Sequence, residues 1–198
     1  IAAADLEAKL KGWNAFQFER VGLNLRPELV AVKDVNGKAD AFAAVAKQVA
    51  ETSEFNLILM SEDADVMKAG VAACAFKRPL IYGATADNAD AFGAIAKDND
   101  LPLGIKAESI DGLTALSEKL TGMGLKDLVL DPGSREPKQS NEDMIAIRRA
   151  ALKNGNRAVG FPTIAFPCEM ASNLDTETML AAMYVAKYGG IVVMSDFT

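Results

Sequence analysis

Phe55-Asn-Leu-Ile-Leu59, then Ser61-Glu-Asp63, then an alanine-rich stretch reaching Cys74, then Pro79-Leu-Ile-Tyr82: this passage decides the fold. An apolar run stops at polar residues, a helical stretch follows, and a second apolar run begins. The pattern extends outward in both directions. Strand-like runs occupy Leu29–Val32, Phe55–Leu59, Pro79–Tyr82, Leu101–Ile105, Asp127–Leu130, Val159–Ala165 and Ile191–Met194, and they start 22 to 32 residues apart. That spacing is one strand-plus-helix unit. Strands that are apolar throughout are buried on both faces, and their alternation with helices makes the sheet parallel. A parallel sheet gathers the C-terminal ends of its strands on one rim, where ligand chemistry sits.

The intervening helices carry 3.6-residue stripes: Phe42, Val45, Ala46 and Val49; Leu113, Leu116 and Leu120; Met144, Ile147 and Ala151; Met179, Met183 and Ala186. Ser140 with Asp143 has the spacing of a capping box, and Asp175 or Thr176 suits the start of the Met179 helix. Gly189 suits its left-handed exit. Asp63, Asn88 and Asn141 stand where N-caps belong. Asp5 to Val21 carries Leu6, Leu10 and Trp13 at helical spacing, so a helix is expected to precede the first strand. Seven strands behind a helix predict an α/β TIM (β/α)8-type barrel over residues 1–198 as a single domain, lacking its first strand and last helix and cut from a longer polypeptide. The alternative is an open doubly wound parallel sheet. No strand leads into a GxGxxG loop, which favours the barrel.

Composition narrows the function. Half of the 198 residues are hydrophobic, and the net charge of −6 speaks against nucleic-acid binding. No apolar stretch approaches the ~20 residues that span a bilayer. The two cysteines, Cys74 and Cys168, lack metal-site spacing, so a reducing cytoplasmic setting is expected. There is no histidine. That removes the usual general base, the Ser-His and Cys-His pairs, and every imidazole metal site. Two cysteines cannot complete an iron–sulfur cluster.

Polar groups gather at the predicted rim: Lys33 and Asp34; Ser61, Glu62 and Asp63; Thr85, Asp87 and Asn88; Asp131-Pro-Gly133; Ser195 and Asp196. Carboxylates and amides there can hold a nitrogen-rich heterocycle by accepting from its N–H groups, or can cap helices and turns. Asp131 ends an apolar strand, where a carboxylate can take the guanidinium-like edge of a pterin in bidentate fashion, or fix the loop through its backbone. Asp131 and Asn88 are the candidate pterin-binding residues, and Lys33, Glu62 and Asp87 the candidate docking rim. Cys168 has no adjacent base, Cys74 reads as core packing, and Lys77-Arg78 reads as a solvated pair at the opposite end.

Several segments, taken in order, resemble a known family. They are Phe16-Gln-Phe-Glu-Arg-Val-Gly22, Leu29-Val-Ala-Val-Lys-Asp34, Leu57-Ile-Leu-Met-Ser61, Arg78-Pro-Leu-Ile-Tyr-Gly-Ala-Thr-Ala-Asp-Asn88, Leu128-Val-Leu-Asp-Pro-Gly133 and Ile147-Arg-Arg-Ala-Ala151. Together they resemble the central barrel of the large (gamma) subunits of corrinoid iron–sulfur proteins, from the acetyl-CoA synthase/carbon monoxide dehydrogenase system. The resemblance implies the scaffold of a methyl carrier in the reductive acetyl-CoA (Wood-Ljungdahl) pathway. Such a carrier moves a methyl group from a methylated pterin, through corrinoid cobalt, to acetyl-CoA synthase. It further implies a corrinoid and a four-iron four-sulfur cluster bound outside this segment. The implied partners are a small corrinoid iron–sulfur subunit forming a heterodimer, acetyl-CoA synthase/carbon monoxide dehydrogenase, and a pterin-dependent methyltransferase. A pterin-binding methyltransferase barrel with its own substrate site is the alternative.

Overall fold

A computed structural model describes residues 3–196. They pack as two compact units, residues 3–82 with 99–101, and residues 83–98 with 102–196. In the first unit, helix α1 (Ala3–Ala15) precedes a hairpin of strands β1 (Phe18–Arg20) and β2 (Leu23–Leu25). Strand β3 (Leu29–Lys33), helix α2 (Ala39–Thr52), strand β4 (Asn56–Met60), helix α3 (Ala64–Cys74) and strand β5 (Leu80–Ala84) follow. The second unit takes the last two residues of β5, then helix α4 (Ala89–Asp98), strand β6 (Leu103–Lys106), helix α5 (Ile110–Gly122) and strand β7 (Leu128–Asp131). It ends with helix α6 (Pro137–Leu152), strand β8 (Ile164–Ala165), helices α7 (Pro167–Met170) and α8 (Leu174–Ala186), and strand β9 (Ile191–Val192).

The central sheet has the order β3-β4-β5-β6-β7, the order in which the chain makes its strands. Its described pairings are parallel: Leu29 opposite Asn56, Ile58 opposite Leu80, and Leu103 opposite Leu128. A parallel bridge joins Leu130 to Thr163, and β8 pairs with β9. A doubly wound sheet reverses its strand order at a switch point. This sheet does not, so its topology is the one a barrel uses, although no pairing among the described residues closes it.

Each unit has its own core. In the first, Leu57, Ile58 and Leu59 of β4 and the helix residues Ala46, Val49, Met67 and Cys74 are all at most 1% exposed. Gly70 lets α3 approach Phe42, because a Cβ there would lie 2.4 Å from the ring. In the second, Leu113 and Leu120 are fully buried and Leu116 nearly so, as their spacing predicts.

Several expectations change. The opening helix stops at Ala15, and residues up to Leu25 form the hairpin instead. The turn residues Val21 (φ 50°) and Gly22 (φ 75°) are both left-handed, the geometry of a two-residue hairpin loop. Valine at that position gives no turn signal in the sequence. Helix α6 starts at Pro137, with the Glu136 side chain accepting from Gln139 N, which puts Ser140 and Asn141 inside the helix. Asn173 caps α8, in place of Asp175 or Thr176, by accepting from Thr176 N. Its buried stripe is Glu177, Ala181 and Tyr184, while Met179 is 74% exposed. Val45 is also exposed. Tyr188, at φ 74°, makes the left-handed exit, and Gly189 is needed for space because a Cβ there would sit 2.7 Å from Tyr184 O.

Candidate functional site

The buried polar site of the second unit starts at Asp131, the last residue of β7. Apolar residues before it demand burial, so the carboxylate enters the core end with 1% exposure. The turn Asp131-Pro-Gly133 follows. Gly133 takes φ 79°, and its N–H donates to Asp131 Oδ1 at 2.8 Å. The chain then returns Arg135 over its own strand end. Its Nη1 and Nη2 donate to the two Asp131 oxygens at 3.1 and 2.8 Å, and its Nε donates to Glu169 Oε2 at 2.7 Å. The guanidinium also lies 4.4 Å from the ring centre of Phe166. Asp131 therefore holds a guanidinium in bidentate fashion, and that guanidinium belongs to its own loop. The loop is pinned again where Ser134 Oγ and Gln139 Nε2 donate to Asp143.

Asn88 works on the loop after β5. Its Oδ1 accepts from Thr85 N at 2.7 Å and its Nδ2 donates to Gly83 O at 3.1 Å, so both ends of the amide stabilise the turn into α4. Beyond β9, the buried Glu177 accepts from Ser195 N at 2.5 Å and from Ser195 Oγ at 2.7 Å. This fixes the backbone leaving β9. Tyr184 lies nearby in the core formed by Met144 and Ala165. Burial pushes its phenol up, and the hydroxyl donates to Met170 Sδ at 3.5 Å.

In the first unit, Asp34 follows β3. Its Oδ1 accepts from Asn36 N and Gly37 N at 3.2 and 2.9 Å, and its Oδ2 from Ser61 Oγ at 3.2 Å. Asp63 caps α3 by accepting from Asp65 N and Val66 N, as its position predicts. Lys33, Glu62 and Asp87 are all exposed, Lys33 at the end of β3 and the other two in the turns after β4 and β5. Lys77 and Arg78 are pinned, not merely solvated. Lys77 Nζ donates to Ser53 O at 3.0 Å and Arg78 Nε to Asp100 O at 2.8 Å.

Spacing alone did not single out Arg135, Phe166, Glu169 or Glu177. The available signal was an arginine four residues beyond a strand-ending aspartate, a distance that lets a loop fold back on its carboxylate. A groove of about 400 Å3, lined among others by Arg148, Pro162, Tyr188 and Gly190, opens at the N-terminal ends of β8 and β9, away from these carboxylates.

An iron–sulfur cluster needs four thiolates, and the two cysteines of this chain are too few to supply them. Among the described residues no three His, Cys, Asp or Glu side chains converge to hold a metal. Cys74 is fully buried, its Sγ donates to Gly70 O, and burial pushes the thiol up to about 11. Cys168 is half-buried on the four-residue α7. No described helix is long and apolar enough to cross a membrane.

Residues 3–198 match the family model described as "CO dehydrogenase/acetyl-CoA synthase delta subunit". The chain is 37% identical over 194 residues to the corrinoid/iron-sulfur protein large subunit of Moorella thermoacetica, covering 98% of this chain and 43% of that one. It is 34% identical over 187 residues to acetyl-CoA decarbonylase/synthase complex subunit gamma 2 of Methanosarcina thermophila, covering 88% and 40%. The chain thus spans about two fifths of the length of these relatives. Among solved structures it is similar to Yersinia pestis DHPS with a pterine-sulfa conjugate, at TM-score 0.55 and 14% identity over 90% of this chain and 91% of that one. At that identity the likeness establishes the fold.

Proposed function

Because this chain belongs to the CO dehydrogenase/acetyl-CoA synthase delta-subunit family, we propose that it is the barrel-type scaffold domain of a corrinoid iron–sulfur methyl carrier. The observation that carries this reading is the 37% identity, over nearly the whole chain, to a large subunit named for both groups. Two cysteines are too few for a cluster, and more than half of that relative lies outside the match. The cluster and the corrinoid then belong to other parts of a longer cytoplasmic polypeptide. The methyl group travels from a methylated pterin, by way of a pterin-dependent methyltransferase, to acetyl-CoA synthase/carbon monoxide dehydrogenase. A small barrel subunit completes a heterodimer. A densely packed parallel sheet is rigid, and a rigid base sets the reach of tethered domains and raises their effective concentration at each partner. Lys33, Glu62 and Asp87, exposed at strand ends, serve docking in this scheme.

Asp131 has its own role here. Its bidentate Arg135 contact holds the β7–α6 loop, and Asn88 holds the loop after β5, so both act on local structure. The test uses the full-length polypeptide, reconstituted anaerobically with cluster and corrinoid. Asp131→Asn and Asn88→Ala should retain methyl transfer within severalfold, with any loss matched by a fall in stability. Abolished transfer from methyltetrahydrofolate in a folded protein whose reduced corrinoid still accepts a methyl group from methyl iodide would reverse the assignment and make this barrel the pterin site.

A further inference from the structure

The hairpin of β1 and β2 is built for contact, and among the described residues its apolar face stays largely exposed. Phe18 pairs with Leu25 and Arg20 with Leu23, so these four side chains share one face. Phe16 adds to it, edge-on to Phe18 at 6.2 Å between ring centres. The opposite face carries Gln17, Glu19 and Asn24, with Asn24 Nδ2 donating to Gln17 Oε1. An amphipathic sheet normally turns its apolar face inward. Here Phe18 is 49% exposed, Leu23 66%, and Val21 at the tip 94%. The tip is strained as well, because a β-branched residue stands at φ 50°. A two-stranded hairpin is at best marginally stable alone in water. Within this apolar face Arg20 makes no ion pair among the described residues.

We propose that the Phe18–Leu23–Leu25 face with Arg20 is the docking surface for another subunit of the complex, one presenting an apolar patch with a carboxylate placed to receive Arg20. This rests on the scaffold reading above. Covering a guanidinium without a counter-charge is costly, so the covering surface brings a carboxylate. A second copy docked hairpin to hairpin fails that requirement, since the hairpin's own carboxylate, Glu19, lies on the far face and the two-fold contact brings two arginines and no carboxylate into the interface. A membrane is disfavoured because one arginine on a chain of net charge −6 gives little attraction to anionic lipid.

The test is hydroxyl-radical footprinting of Phe18 and Leu23 in the full-length polypeptide. It is run alone, with each other purified subunit in turn, and with phosphatidylglycerol vesicles. Protection on adding one subunit is expected, and Arg20→Glu should weaken that subunit's binding at least about tenfold, whereas Glu19→Lys on the far face should not. Protection already present in the polypeptide alone, protection by vesicles only, or full reactivity within an assembled complex would each overturn the proposal. Failure of the unsubstituted protein to bind any subunit would overturn the scaffold reading itself.

Discussion

Asp34 and Asp131 both stand at the C-terminal end of a parallel strand, Asp34 just after Leu29-Val-Ala-Val-Lys33 and Asp131 as the last residue of Leu128-Val-Leu-Asp131, yet they do different physical work. Asp34 is half-buried and serves backbone N–H groups of its own turn and the Ser61 hydroxyl. Asp131 is buried and neutralised by a guanidinium that also reaches Glu169 and lies on Phe166. One carboxylate shapes a turn that water can reach. The other is safe in the interior only while its partner stays. The same strand-end residue is therefore a modest stabiliser in the first unit and a committed charge in the second.

The sharpest way to break this contrast is to remove the counter-charge. Arg135→Ala leaves Asp131 buried and unpaired, and should lower stability by about 3 kcal/mol in urea unfolding. Arg135→Ala combined with Asp131→Asn should recover part of that loss, because the stranded charge is gone. Equal losses in the single and double variants would mean that the charge pair is not what Arg135 contributes.

Glycines extend the comparison to packing. An added Cβ at Gly70 lies 2.4 Å from the Phe42 ring, whereas at Gly93 it meets the flexible ends of Met123 and Leu120 at 2.8 and 2.9 Å. Gly70→Ala should cost about 2 kcal/mol through overpacking. Gly93→Ala should cost less than about 1 kcal/mol, since methionine can move and alanine favours the helix. Thermal unfolding of the two variants side by side checks the order.

Asp34→Ala and Asp63→Ala, both in the first unit, should each cost only about 1 kcal/mol, the ordinary worth of turn and cap hydrogen bonds. A loss at Asp34 as large as that at Arg135 would erase the distinction between the two strand ends.

The remaining contrast is one of pH. Burial raises the Cys74 thiol from 9.0 to about 11 in the folded protein. The unfolded chain then loses its proton first, and stability should decline as pH rises from about 9 to about 11. Tyr184, also raised by burial, adds to the decline in the same direction. Cys74→Ala should make the decline shallower, and an unchanged slope would remove the thiol as a cause.

Much of the sheet was legible because fully buried strands need unbroken apolar runs, as at Leu57–Leu59 and Leu128–Leu130. The α5 stripe and the Asp63 cap were legible for a similar reason, since local spacing and local hydrogen bonds decide them. The hairpin was not. Its six strand residues are too few for a period, and a valine holds the turn. The stripe of α8 was displaced because Glu177, polar in the sequence, is drawn inward by Ser195 from eighteen residues away.

By itself, then, the sequence determined an α/β chain with parallel strands, the likeness of its ordered segments to a known family, and a lack of histidine that leaves this segment without imidazole chemistry. Tertiary structure alone decided what its carboxylates do. Asp131 reads the same whether it awaits a ligand or holds Arg135, and the difference lies in a loop folding back, with Phe166 and Glu169 brought beside it from the end of β8. Such contacts join residues far apart in the chain, and their energy comes from geometry and the exclusion of water, neither of which leaves a local period to read.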